Sequence, residues 1–102
     1  MNTIKILTKR VPLKSEQLGE LIDFTSRLNL IIKKQDGFVK SKTFVHNFET
    51  LYVLSEWDNI NNWNKCNESH DINKYMILYK SLYLQNENIE LRDVQYNDIF
   101  LL

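Results

Sequence analysis

From Leu18 to Ile32 the apolar residues repeat at helical spacing. Leu18, Leu21, Ile22, Thr25, Leu28, Ile31 and Ile32 fall on one stripe, which with its flanks runs about five turns. Within a chain of 102 residues, a stripe of that length must be buried against something large and flat. Ser15 reads as the N-cap, and Glu16 suits the first turn. Lys33 and Lys34 suit the C-terminal end, and Asp36-Gly37 stops the helix. Glu20, Asp23 and Arg27 face solvent.

The rest of the chain supplies the flat surface. Thr3 to Val11 is a strand, ended by Pro12, which has no N–H to give a ladder. Phe38 to His46 is a second strand. Its alternation puts Val39, Thr43 and Val45 on one face and Phe38, Lys40, Lys42, Phe44 and His46 on the other. Asn47 to Glu49 is a hairpin loop, and Leu51 to Trp57 is the third strand. The chain turns at Asp58-Asn59 into a helix carrying Ile60, Trp63 and Cys66 or Asn67, although its run of Asn residues weakens helix propensity. After Ser69 a further helix carries Ile72, Tyr75, Met76 and Tyr79 on one face. Gln85-Asn86-Glu87-Asn88 reads as a loop. Ile89 to Gln95 is a fourth strand, with Ile89, Leu91 and Asp93 on one face and Val94 on the other.

The order β-α-β-β-α-α-β over residues 1–102 predicts a single α+β domain of the ferredoxin-like, split βαβ kind. Helices cover one face of a four-stranded antiparallel sheet. Neither face of the second strand is wholly polar, so both sides of the sheet should be covered. A homodimer with two sheets facing each other would achieve this. The apolar tail Ile99, Phe100, Leu101 and Leu102 either docks on the partner subunit or frays.

Composition removes several classes of function. The formal net charge is zero, which disfavours nucleic acid or an anionic membrane as partner. There is no run of about 18 apolar residues to span a membrane and no signal-peptide pattern at the start. Cys66 is the single cysteine and cannot form an internal disulfide; the expected location is cytoplasmic. Cys66 and His70 stand four apart on a helix, but two ligands do not make a zinc site, so no metal is expected.

The stretch Thr50–Tyr83 should form a wall and a lid for a flat, small aromatic or apolar ligand. His70 has a near-neutral reference pKa and could act as base for a phenolic or quinol proton; equally it fits a helix start beside Ser69 and Asp71. His46 reads as a surface histidine at a strand end. Trp63 and Trp57 could stack on an aromatic ligand or pack the core, and core packing is the simpler reading for Trp57. Tyr75 and Tyr79 sit one turn apart and could present hydroxyls to a ligand or only their rings to the core. Asn73 could hydrogen-bond a carbonyl or enolate oxygen, or simply face water.

Several of these features together carry a resemblance. A first strand ending at Lys9-Arg10-Val11 leads into the long helix; the helix closes at Asp36-Gly37-Phe38; and a hairpin strand ends as VLSEWDNINNW. The chain resembles the antibiotic biosynthesis monooxygenase-like domains over roughly residues 3–96. The resemblance implies a homodimeric α+β barrel with one pocket per protomer. It also implies, for some members, cofactor-independent oxygenation of quinol-like or polyketide aromatics, in which the deprotonated substrate reacts with dioxygen itself. On that basis His70 and Asn73 are the expected catalytic residues, Trp63, Tyr75 and Tyr79 the substrate-binding ones, and no cofactor is required. The alternative is a non-catalytic dimeric small-ligand-binding or stress-response domain. Other members degrade haem with an Asn on the first strand, a Trp and a His ligand. Here the corresponding positions hold Lys9, Trp63 and Asn73, with His70 three residues before Asn73; these departures speak against haem.

Overall fold

The computed structural model describes residues 3–92, with side chains described through residue 77. Strand β1 spans Ile4–Pro12, helix α1 Leu18–Ile32, strand β2 Phe38–His46 and strand β3 Thr50–Trp57. Helices α2 (Ile60–Glu68) and α3 (His70–Tyr83) follow, then strand β4 (Leu84–Arg92). The strands form one sheet in the order β2-β3-β1-β4, with every neighbouring pair antiparallel. This is the ferredoxin-like α+β arrangement expected from the element order.

Alternation on β1 and β3 separates two apolar layers. Ile6, Leu51 and Trp57 face the helices and pack with Leu21, Phe24 and Leu28 of α1, Cys66 of α2, and Ile72 and Met76 of α3. Leu7 and Leu54, each one position out of phase, join Phe44 and Tyr52 in a smaller cluster on the opposite face. The buried centre of the α1 stripe is Leu21, Phe24, Thr25 and Leu28. Phe24 thus belongs to the stripe, while Leu18, Ile22, Ile31 and Ile32 lie along its half-buried margins.

Three local expectations are corrected. Ser15 does not cap α1. It opens a 3₁₀ turn over Ser15–Gln17, whose N-cap is Lys14, with the Lys14 N–H donating to Gln17 Oε1 at 3.2 Å; α1 itself starts from Gln17 with no side-chain cap. Phe38 is not on the face of Phe44. The ladder pairs Phe38 with Trp57 and Lys40 with Glu56, so Val39 is an extra residue that shifts the alternation. Phe38 consequently joins the helix-side core, edge-to-face with Trp57 at 5.5 Å and 81°. Finally, Gln85–Asn88 is strand rather than loop, and Asn86, Glu87 and Asn88 pair with Val11, Arg10 and Lys9. The backbone ladder with β1 outweighs the low β-propensity of that polar run. Positions 93–95 of the expected fourth strand and the 99–102 tail lie outside the described residues.

Candidate active site

On the helix side of the sheet the β1 residues change character: Ile4 and Ile6 pack into the core, but the next two in phase are Thr8 and Arg10. With Ser41 of β2 and Val53, Ser55 and Trp57 of β3 they form the floor of a cavity of about 200 Å3. Its walls are Leu28, Asn29 and Ile32 of α1, Trp63, Cys66 and Asn67 of α2, and Ile72, Asn73 and Met76 of α3. Drug-sized ligands occupy cavities of about 300–1,000 Å3, so this space suits a smaller molecule.

The placement of Trp63 begins at a glycine. Gly37 has φ +81°, and a Cβ there would collide with the Asp58 carboxylate and the Asn62 side chain. The Asp58 N–H donates to Gly37 O at 2.8 Å, and Asn62 Nδ2 donates to Asp58 Oδ1 at 2.8 Å. Asn59 caps α2 by accepting the Asn62 N–H at 2.9 Å on its Oδ1. Asn59 and Asn62, read in the sequence as weakening the helix, are part of what starts it. The floor is held in a similar way: Trp57 Nε1 donates to Ser55 Oγ at 3.1 Å, which fixes the plane of the indole.

Arg10 is buried, with 7% of its surface exposed. Its Nη1 donates to Thr25 Oγ1 at 3.2 Å, and its guanidinium lies 5.7 Å from the centroid of the Phe24 ring. Phe24 in turn stacks on Tyr75 at 5.2 Å and 25°. Burial pushes the Cys66 thiol up to about 11, so it is protonated at neutral pH and is a poor nucleophile.

The cavity brings together Trp63 and Asn73 of the sequence-predicted residues. Trp57, expected to be core alone, is both core and floor. Tyr75 packs on Phe24 with its hydroxyl buried, beside the lining rather than in it. His70 is exposed at the first residue of α3 and does not line the cavity. His46 is on the other face of the sheet, 6.3 Å from Tyr52 between ring centroids. The Tyr79 side chain lies outside the described residues. Lys9 is exposed and out of phase with the cavity; the floor positions next to it are Thr8 and Arg10. Sequence reasoning missed these two, although the alternation Ile4, Ile6, Thr8, Arg10 signals them.

Haem does not fit here. The cavity is too small to enclose a porphyrin, and no histidine lines it among the described residues. No group of three metal-ligating side chains occurs among the described residues either.

No protein-family model and no curated protein matches the chain; similarity is found among solved structures. SnoaB, a cofactor-independent oxygenase from Streptomyces nogalater, superposes with a TM-score of 0.79 over 93% of this chain and 95% of its own, at 9% identity. An antibiotic biosynthesis monooxygenase superposes at 0.74 over 90% and 98%, at 13% identity. The chain has the antibiotic biosynthesis monooxygenase-type fold. A conserved protein from Methanosarcina mazei shares this fold at a TM-score of 0.79, over 93% of this chain and 95% of that one, with 18% identity. At such identities the monooxygenase-type likeness is one of architecture, and the chemistry has to be argued from the cavity.

Proposed function

We propose that this protein is a cofactor-independent monooxygenase acting on a small aromatic or quinol-type substrate held between sheet and helices. The observation that carries this reading is one cavity that joins two indoles, Trp57 and Trp63, to a small set of hydrogen-bonding groups. Flat apolar walls bind a ring, and sparse polar groups orient it. Trp63 stacks on the substrate, and the Asn73 amide holds its carbonyl or enolate oxygen. Once ionised, an electron-rich ring carbon attacks dioxygen directly. One oxygen atom is retained as a new carbonyl; the other leaves as water with two hydrogens lost from the substrate, one from the oxidised carbon and one from that carbon or a phenolic hydroxyl, so the substrate supplies all the electrons. His70 stands outside the lining, so the substrate proton passes to solvent water rather than to an imidazole, and the cavity's hydrogen-bond donors stabilise the anion that forms. Two copies pair through the sheet face that carries Leu7, Phe44 and Leu54.

A second reading, a non-catalytic small-ligand-binding domain, is favoured by one observation: no carboxylate or imidazole lines the cavity among the described residues. Dioxygen uptake with a panel of hydroquinones and anthrone-type phenols separates the two. The enzyme consumes oxygen above the uncatalysed rate. Trp63→Ala lowers kcat/KM about tenfold, the loss of one stacking contact, while His70→Ala stays within about twofold of the parent. Quenching of tryptophan fluorescence without oxygen uptake would establish the second reading.

A further inference from the structure

We infer that the cavity selects aromatic molecules that carry a carboxylate, and that Arg10 is the residue that reads it. This rests on the reading of the cavity as a ligand site, and it narrows the class of ligand. A guanidinium remains charged at every working pH, and its planar fork matches the two oxygens of a carboxylate. Arg10 lines the floor of the cavity with 7% of its surface exposed, at the edge where α1 packs on β1. The Phe24 face beneath it and the Thr25 hydroxyl beside it fix its orientation.

The other cavity groups agree in sign. No Asp or Glu is among the described residues lining the space. Thr8 and Ser41 border it, and their hydroxyls can donate to a second carboxylate oxygen; the Ser55 hydroxyl is committed to Ile6 O and Trp57 Nε1. The indoles and Val53, Leu28 and Ile72 line the same space and can flank a ring. The ladder sets Glu87 across from Arg10 on β4; a guanidinium has five N–H donors, enough to serve more than one acceptor.

The test uses a pair of probes matched in shape and differing in charge, 2-naphthoate and 2-naphthamide, titrated against intrinsic tryptophan fluorescence at neutral pH. The parent protein should bind the acid about tenfold tighter than the amide, as one charge-assisted hydrogen bond gives. Arg10→Met should bring the two affinities within about twofold of each other, chiefly by weakening binding of the acid. Should Arg10→Met fail to fold, Arg10→Gln, which keeps a donor for Thr25, makes the same comparison. Equal binding of acid and amide by the parent, or a full preference surviving in either variant, would overturn the role of Arg10 and leave the cavity reading intact. Quenching by neither probe would overturn the ligand site itself, and this inference with it.

Discussion

Phe48 holds φ at +58° at the tip of the β2–β3 hairpin, next to Asn47 at +53°, with 86% of its surface exposed. The Glu49 N–H donates to His46 O at 3.1 Å, closing a turn whose two central residues both take positive φ, and glycine is the usual second residue of such a turn. A phenyl-bearing residue bears a conformational cost there and recovers little of it by burial. Phe48→Gly should raise the unfolding free energy by about 1 kcal/mol and the midpoint by about 4–8 °C, read by thermal melts. Cys66 gives a residue-scale prediction in pH. Its folded value of about 11 lies above the ordinary 9.0, so the unfolded chain ionises first. Below pH 9 the thiol is protonated in both states and contributes no pH dependence. From about pH 9 to 11 the unfolded state gains, and stability should fall by up to about 2–3 kcal/mol. Urea midpoints across that range should decline less in Cys66→Ala than in the parent.

At the scale of elements, the two glycines of the chain make opposite predictions for one substitution. Gly19 lies in α1 with open space around the position of a Cβ, so Gly19→Ala should stabilise by about 0.5–1 kcal/mol. Gly37→Ala would force a methyl into Asp58 and Asn62 at a positive φ, and should destabilise by about 2–4 kcal/mol in the same urea assay. It should also weaken probe binding, because the first turn of α2 and the seat of Trp63 rest on that contact. The extent to which these features were legible follows from their range. The first three strands, the α1 stripe and the two later helices have local period signals, and those are readable. The capping role of Asn59 was masked because Asn is a poor interior residue and a good cap, and five of them crowd one segment. The strand over Gln85–Asn88 carries no side-chain signal, since its partner β1 lies more than seventy residues away in sequence. Arg10 was passed over because a charge in a strand normally marks a wet face, and only the helices laid over β1 enclose it.

For the whole molecule, the proposed pairing of two copies would use the sheet face turned away from the helices. Leu54 is 0% exposed and Leu7 3%, but by alternation the exposed Lys9, Lys40 and Lys42 share that face and outnumber Glu56, which the ladder sets across from Lys40. Two copies meeting there would bring like charges together, and salt should relieve the repulsion, since the screening length falls from about 30 Å at 0.01 M to about 3 Å at 1 M. Sedimentation should therefore show a dimer that tightens as salt rises; a monomer at every protein concentration and salt level would refute pairing through this face. The extra residue at Val39 has a further consequence. It lets a single strand serve two layers, sending Phe38 to one and Phe44 to the other. Relatives that differ by one residue upstream of Lys40 would have to rebuild one layer, whereas changes of length between His46 and Thr50 would disturb neither, so natural variation in length should collect at that tip and spare the start of the strand.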